Sequence, residues 1–157
     1  YVISEVTPKG DSKKDIVLYG QSLGGAVLMR AFSDLSDTER SRVKTVVIES
    51  SFHNYHSIAA DMLSRHFLTW IFQPLGYVLV SNAYGSEGNI AKISPTPLLV
   101  MHGDRDEVIP MSFGKKIFEE AKEPKQSLWF PDAGHINCMH VAKGKYRQDF
   151  LKYLDHL

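Results

Sequence analysis

Along the 157 residues, apolar positions fall into two patterns. Four short runs are continuous: "IVLY" at 16–19, "VKTVVIES" at 43–50, "TPLLVMHG" at 96–103 and "QSLWFPD" at 126–132. Between and after them the apolar residues recur at helical spacing. Runs of this length without alternation read as strands buried on both faces, and their separation by helices predicts a mostly parallel sheet. Helices are expected over 23–35, with Leu23, Val27, Leu28, Ala31 and Phe32 on one face, over 111–121, and over 138–156 with Val141, Tyr146, Phe150, Leu151 and Leu154. "SDTERSR" reads as a polar loop or helical turn, and residues 1–15 as the tail of a helix and its loop. The expected class is α/β, about four strands flanked by helices, in one domain over 1–157.

Residues 52–92 break this rhythm. They are too long and too apolar for an ordinary strand-to-helix connection. A helical insertion interrupted at Pro74-Leu75-Gly76 is expected. It can be a crossover helix with extra packing, a lid over an apolar pocket, or a membrane-surface segment, the last poorly supported by its few basic residues.

Composition narrows the function classes. Eighteen basic residues balance eighteen acidic ones, so bulk charge favours neither nucleic acid nor an anionic membrane. Cys138 is the only cysteine, which excludes an intrachain disulfide and leans towards a reducing compartment. No run of eighteen apolar residues occurs.

The first strand leads into Gly20-Gln21-Ser22-Leu23-Gly24. This is the G-x-S-x-G spacing of a nucleophile elbow, in which a strained strand-to-helix turn projects a serine hydroxyl and small flanking residues let backbone approach. A chain this long holds about 0.05 chance matches, fewer when strand and helix must flank it, so the spacing carries weight. The Leu23 N–H, at the helix start, is placed to face a developing oxyanion. A serine needs a base, and the base an orienting acid. "MHGDRDEVIP" offers Asp104 and Asp106 beyond the third strand, and "PDAGHIN" offers His135 beyond the fourth. Open α/β sheets build their sites at such strand ends.

Other histidines carry weaker signals. His102 ends a strand and reads as loop support; His53 and His56 lack the carboxylate or cysteine cluster of a metal site and read as surface or lid packing; His66, His140 and His156 lie in helical segments without a partner motif. No metal or organic cofactor is expected. Cys138 reads as a small packed side chain.

Together, "GQSLGG", "PTPLLVMHGDRDEVIP" and "DAGHIN" resemble the α/β-hydrolase superfamily of serine hydrolases, closest to its serine-aminopeptidase-like and membrane-associated acyl-hydrolase branch. The resemblance covers essentially the whole chain. It implies Ser22 as nucleophile, His135 as base and, three places after Gly103, Asp106 as acid. Asp104 is then a loop residue, and Glu49 stands where some hydrolases carry the acid instead. The implied activity is hydrolysis of an ester, thioester or amide of a small acyl or peptidyl substrate, with Gln21, Phe52, Phe67 and Trp70 as candidate substrate contacts. A hydrolase remnant retained for binding or assembly is the rival expectation.

In that superfamily the elbow follows roughly a hundred residues of earlier sheet. The resemblance is therefore to a C-terminal half, without the loop that normally donates a second oxyanion N–H. Strand 16–19 is then expected at a sheet edge, open to pairing in a homodimer or with another segment. Membrane association of the full-length protein is the corresponding expectation for its compartment.

Overall fold

Each of the four apolar runs forms a strand. The computed structural model describes residues 16–65, 67–83 and 85–157, so the expectation for residues 1–15 lies outside the described residues. The strands are β1 (Ile16–Gln21), β2 (Val43–Glu49), β3 (Leu98–Gly103) and β4 (Lys125–Phe130). They pair in parallel in the order β1-β2-β3-β4. The helices are α1 (Leu23–Ser33), α2 (Asp37–Arg40), α3 (Tyr55–Ser64), α4 (Gln73–Leu79), α5 (Met111–Glu120) and α6 (Lys145–Asp155).

The continuous apolar character of β2 and β3 follows from burial on both sides. Val46 and Ile48, with Leu98 and Val100, join Met29, Phe32 and Ile117 in one cluster. Val47, Leu99 and Met101 turn to the other face and join Phe130, Cys138 and Tyr153. Burying each such aliphatic side chain contributes about 1.5–3 kcal/mol. β1 is an edge of the sheet formed by the described residues, with Val17 and Tyr19 exposed.

Four expectations need correction. In α1 the buried residues are Gly25, Ala26, Met29 and Phe32, whereas Leu23 and Val27 are exposed. "LGGAVLMRAF" is apolar nearly all round, so periodicity could not choose the face. The choice is made by contact at Gly25, where a Cβ would lie 2.5 Å from Ser51 Oγ.

The last helix starts at Lys145, not 138. Ile136, Ala142, Lys143 and Gly144 have positive φ and keep the segment before it irregular. Tyr153 rather than Leu151 faces the core, its hydroxyl 2.6 Å from Thr45 Oγ1, while Leu151 is exposed.

The insertion breaks between α3, which ends at Ser64, and a 3₁₀ turn at Trp70–Phe72. Pro74 instead sits in the first turn of α4, where its missing N–H costs nothing. Gly76 lets α4 cross α3 closely; a Cβ there would lie 2.8 Å from the Ala60 backbone nitrogen.

His53, read as surface or lid packing, is buried against the Phe113 ring, and its backbone C=O accepts from both the Ser86 N–H and the Ser86 hydroxyl. No helix among the described residues is long and apolar enough to cross a membrane.

Candidate active site

The site assembles at the C-terminal ends of β1, β3 and β4. Where β1 turns into α1, Ser22 adopts φ 54° and ψ −127°, a conformation that glycine alone takes easily. The end of β2, the residue Ser51 beyond it and the first turn of α1 hold it there. The Ser22 N–H donates to the Glu49 carbonyl at 2.9 Å, and the Ser22 carbonyl accepts from the Ser51 hydroxyl at 2.7 Å and from the Gly25 N–H at 3.0 Å.

The close approach made by the elbow is between Gly20 and Gly25. A Cβ on Gly20 would lie 2.7 Å from Gly25 Cα, whereas one on Gly24 would meet nothing within 4 Å. The second glycine of the motif is thus the less constrained. Gly25→Ala is expected to lower stability by about 1–3 kcal/mol through overpacking, while Gly24→Ala leaves it unchanged or raised by up to about 1 kcal/mol. Thermal unfolding of the two variants checks the contrast, and equal effects would refute it.

Asp106 lies in the loop after β3, buried, with Oδ1 accepting the N–H groups of Val108 at 3.0 Å and Ile109 at 2.8 Å. His102 stands behind it. Its Nε2 is 2.8 Å from the Ile109 carbonyl, which can only accept, so that nitrogen carries the proton, and it lies 3.4 Å from Asp106 Oδ2. Burial alone would raise the Asp106 pKa. Hydrogen bonds from His102, His135 and the Ile109 N–H outweigh it and hold the carboxyl well below the usual carboxylate range.

His135 is carried on the loop after β4. That loop is pinned to the loop after β3: Asp104 Oδ1 accepts the Asp132 N–H at 2.8 Å, the Arg105 N–H donates to the Ala133 carbonyl, and Arg105 pairs with Asp132. Gly103 leaves room for this contact, since a Cβ there would lie 2.2 Å from the Ala133 oxygen. Within the loop, the Gly134 N–H donates to Asn137 Oδ1 at 2.7 Å.

The loops bring the three predicted residues into one line. His135 Nδ1 lies 2.9 Å from Asp106 Oδ2, and His135 Nε2 lies 3.0 Å from Ser22 Oγ. Because the carboxylate accepts, Nδ1 carries the proton and Nε2 is free to accept the serine hydroxyl proton. The Leu23 N–H, at the first helical position, has no acceptor within α1.

The remaining candidates sit elsewhere. Asp104 braces the histidine loop as expected of a loop residue, and the Glu49 carboxyl is turned to Tyr19 and Gln21 rather than His135. Gln21's amide is thereby engaged within the protein. Phe52 is core, packed with Ala26, Ile58, Ile109 and Phe113. Phe67 and Trp70 are 85% and 56% exposed. An open groove of about 520 Å³ runs from Leu23 along α1 past Val27 and Ala31, walled by Tyr55 and edged by Arg30 and Asp34. Sequence reasoning missed Ser51 and Tyr55, which belong to no motif and reach the site only through the fold.

Comparison with known proteins agrees with this architecture. The prolyl oligopeptidase family profile matches residues 10–157. The chain is 34% identical over 140 residues to the uncharacterized protein YfhR of Escherichia coli O157:H7, covering 88% of this chain and 45% of that protein. It is 30% identical over 150 residues to human alpha/beta hydrolase domain-containing protein 17C, covering 96% and 39% respectively. It thus spans less than half the length of these relatives. Its backbone superposes on Pyrococcus horikoshii acylaminoacyl peptidase with a TM-score of 0.66 at 16% identity, over 96% of this chain and 25% of that one. The superfamily expected from the motifs holds, and a profile match over nearly the whole chain identifies the branch: this chain belongs to the prolyl oligopeptidase family of α/β hydrolases.

Proposed function

We propose that the chain supplies the nucleophile, base and acid of a serine hydrolase that cleaves an ester, thioester or amide through an acyl-enzyme on Ser22. The observation that carries this is the unbroken line from Ser22 Oγ through the His135 imidazole to Asp106.

In the first half-reaction Ser22 Oγ attacks the substrate carbonyl carbon as its proton passes to His135 Nε2. Asp106 holds the tautomer and stabilises the imidazolium. The carbonyl oxygen becomes an oxyanion, to which the Leu23 N–H donates at the positive end of α1. Collapse expels the alcohol, thiol or amine, which takes the proton from His135 Nε2. In the second half, water gives a proton to His135 and attacks the acyl carbon; the acid departs and Ser22 regains its proton.

The groove that begins at Leu23 favours a substrate with an apolar group beside the reacting carbonyl. The 52–92 insertion, which contributes Tyr55 and Ser81 to that groove, is assigned the part of a partial lid.

Acid quenching during turnover of a p-nitrophenyl ester is expected to trap an acyl group on the Ser22 peptide. Turnover in which the acyl group is never found on Ser22, and which survives Ser22→Ala, would overturn the proposal.

A further inference from the structure

Glu49 is almost fully buried at the end of β2, beneath the elbow, and the line of hydrogen bonds from Ser22 to Asp106 does not use its side chain. Two side chains of β1 converge on its carboxyl. In the parallel register Gln21 pairs with Glu49, and its Nε2 donates to Glu49 Oε2 at 2.8 Å. Tyr19, two residues back and therefore on the same strand face, donates its hydroxyl to that oxygen. Burial first, and the Glu49 carboxyl second, push the Tyr19 phenol pKa upward.

These contacts tie together parts that must agree in position. Gln21 precedes Ser22, and the Glu49 carbonyl accepts the Ser22 N–H. Tyr19 also packs edge-on against Phe150 of α6, on the side of the sheet away from α1. Glu49 cannot replace Asp106, because Asp106 already takes His135 Nδ1.

We infer that Glu49 is a positioning residue: through Gln21 and Tyr19 it fixes the end of β1, and with it the place of Ser22 relative to His135. The inference rests on the proposed hydrolase function and adds a residue to it. A strained serine held at 3.0 Å from its base is sensitive to small displacements, because misplacement by about 1 Å costs on the order of 10²-fold in rate.

The test measures the second-order rate of fluorophosphonate labelling at Ser22 in the native protein, scaled to the folded fraction, together with kcat and KM on one p-nitrophenyl ester. Glu49→Ala and Gln21→Ala are each expected to lower labelling and kcat about tenfold or more while KM holds, since a displaced nucleophile loses rate rather than binding. The double variant is expected to be no worse than Glu49→Ala, because the two side chains act as one unit. Glu49→Gln keeps a carbonyl oxygen to accept from Tyr19 and Gln21 and is expected to restore most of the rate.

Glu49→Ala that only lowers the melting temperature, with labelling of the folded fraction unchanged, would overturn the inference. So would additive losses in the double variant. Should Glu49→Ala not fold, Gln21→Ala, at an exposed position, carries the test, and unchanged labelling there overturns it. Wild-type protein that fails to label removes the hydrolase proposal itself and this inference with it.

Discussion

Ser22→Ala is expected to lower turnover by about 10⁴-fold or more, since the hydroxyl oxygen is the atom on which the acyl-enzyme forms. Stability should hardly change, because the hydroxyl's hydrogen-bond partner among the described residues is the partly buried His135 imidazole. Ser22→Gly separates chemistry from fold more sharply. The backbone at this position lies at φ 54°, ψ −127°, where a side chain costs of order 1–3 kcal/mol and glycine does not strain. Glycine adds chain entropy to the unfolded state, which offsets about 0.5–1 kcal/mol. The expected result is a protein that melts higher than wild type and does not turn over. A glycine variant that melts lower would show that the turn is held by the serine hydroxyl rather than imposed against it.

Asp106→Asn is expected to lower kcat by about 10⁴-fold while the loop persists. The amide oxygen can still accept the Val108 and Ile109 N–H groups, as Oδ1 does now. What is lost is the acceptor that fixes the His135 proton on Nδ1; an Asn NH₂ in that place favours the opposite tautomer, with Nε2 protonated and unable to take the Ser22 proton. A stability signature accompanies the kinetic one. The Asp106 pKa is lowered on folding, so its contribution is fully present above the unfolded value of about 4 and is lost as pH falls below it. Wild-type protein should therefore lose melting temperature more steeply than Asp106→Asn between about pH 5 and pH 2. Parallel acid curves for the two proteins would contradict the assignment.

The strands, and the three residues proposed for the site, were legible for a physical reason. Strands buried on both faces must be continuously apolar, and an elbow must put a serine among small residues, so both leave local traces. The choice of Asp106 over Asp104 came from the family motif rather than from local chemistry. Both follow β3 in one loop, and the fold supplies the physical reason: Asp104 turns to the Asp132 N–H while Asp106 turns to His135. The buried face of α1 was illegible because its sequence offers apolar residues on nearly every side and the decision falls to Gly25 against Ser51. The last helix was drawn too long because "CMHVA" is apolar enough to continue a helix, whereas Cys138 is instead used to pack the histidine loop against β2 and β3. Phe52, expected as a substrate contact, is consumed by the core. Sequence also proposed Gln21 as a substrate contact without showing its partner; Glu49 lies twenty-eight residues away and meets it only through the β1–β2 register.

The central claim is that His135 and Asp106 make Ser22 a nucleophile. The most direct measurement is intact-mass analysis of the native protein after treatment with a fluorophosphonate, beside its Ser22→Ala variant. The account predicts a single adduct on the wild type and none on the variant. An adduct of equal yield on the variant, or no adduct on a wild-type protein that is folded and hydrolyses esters, would contradict it.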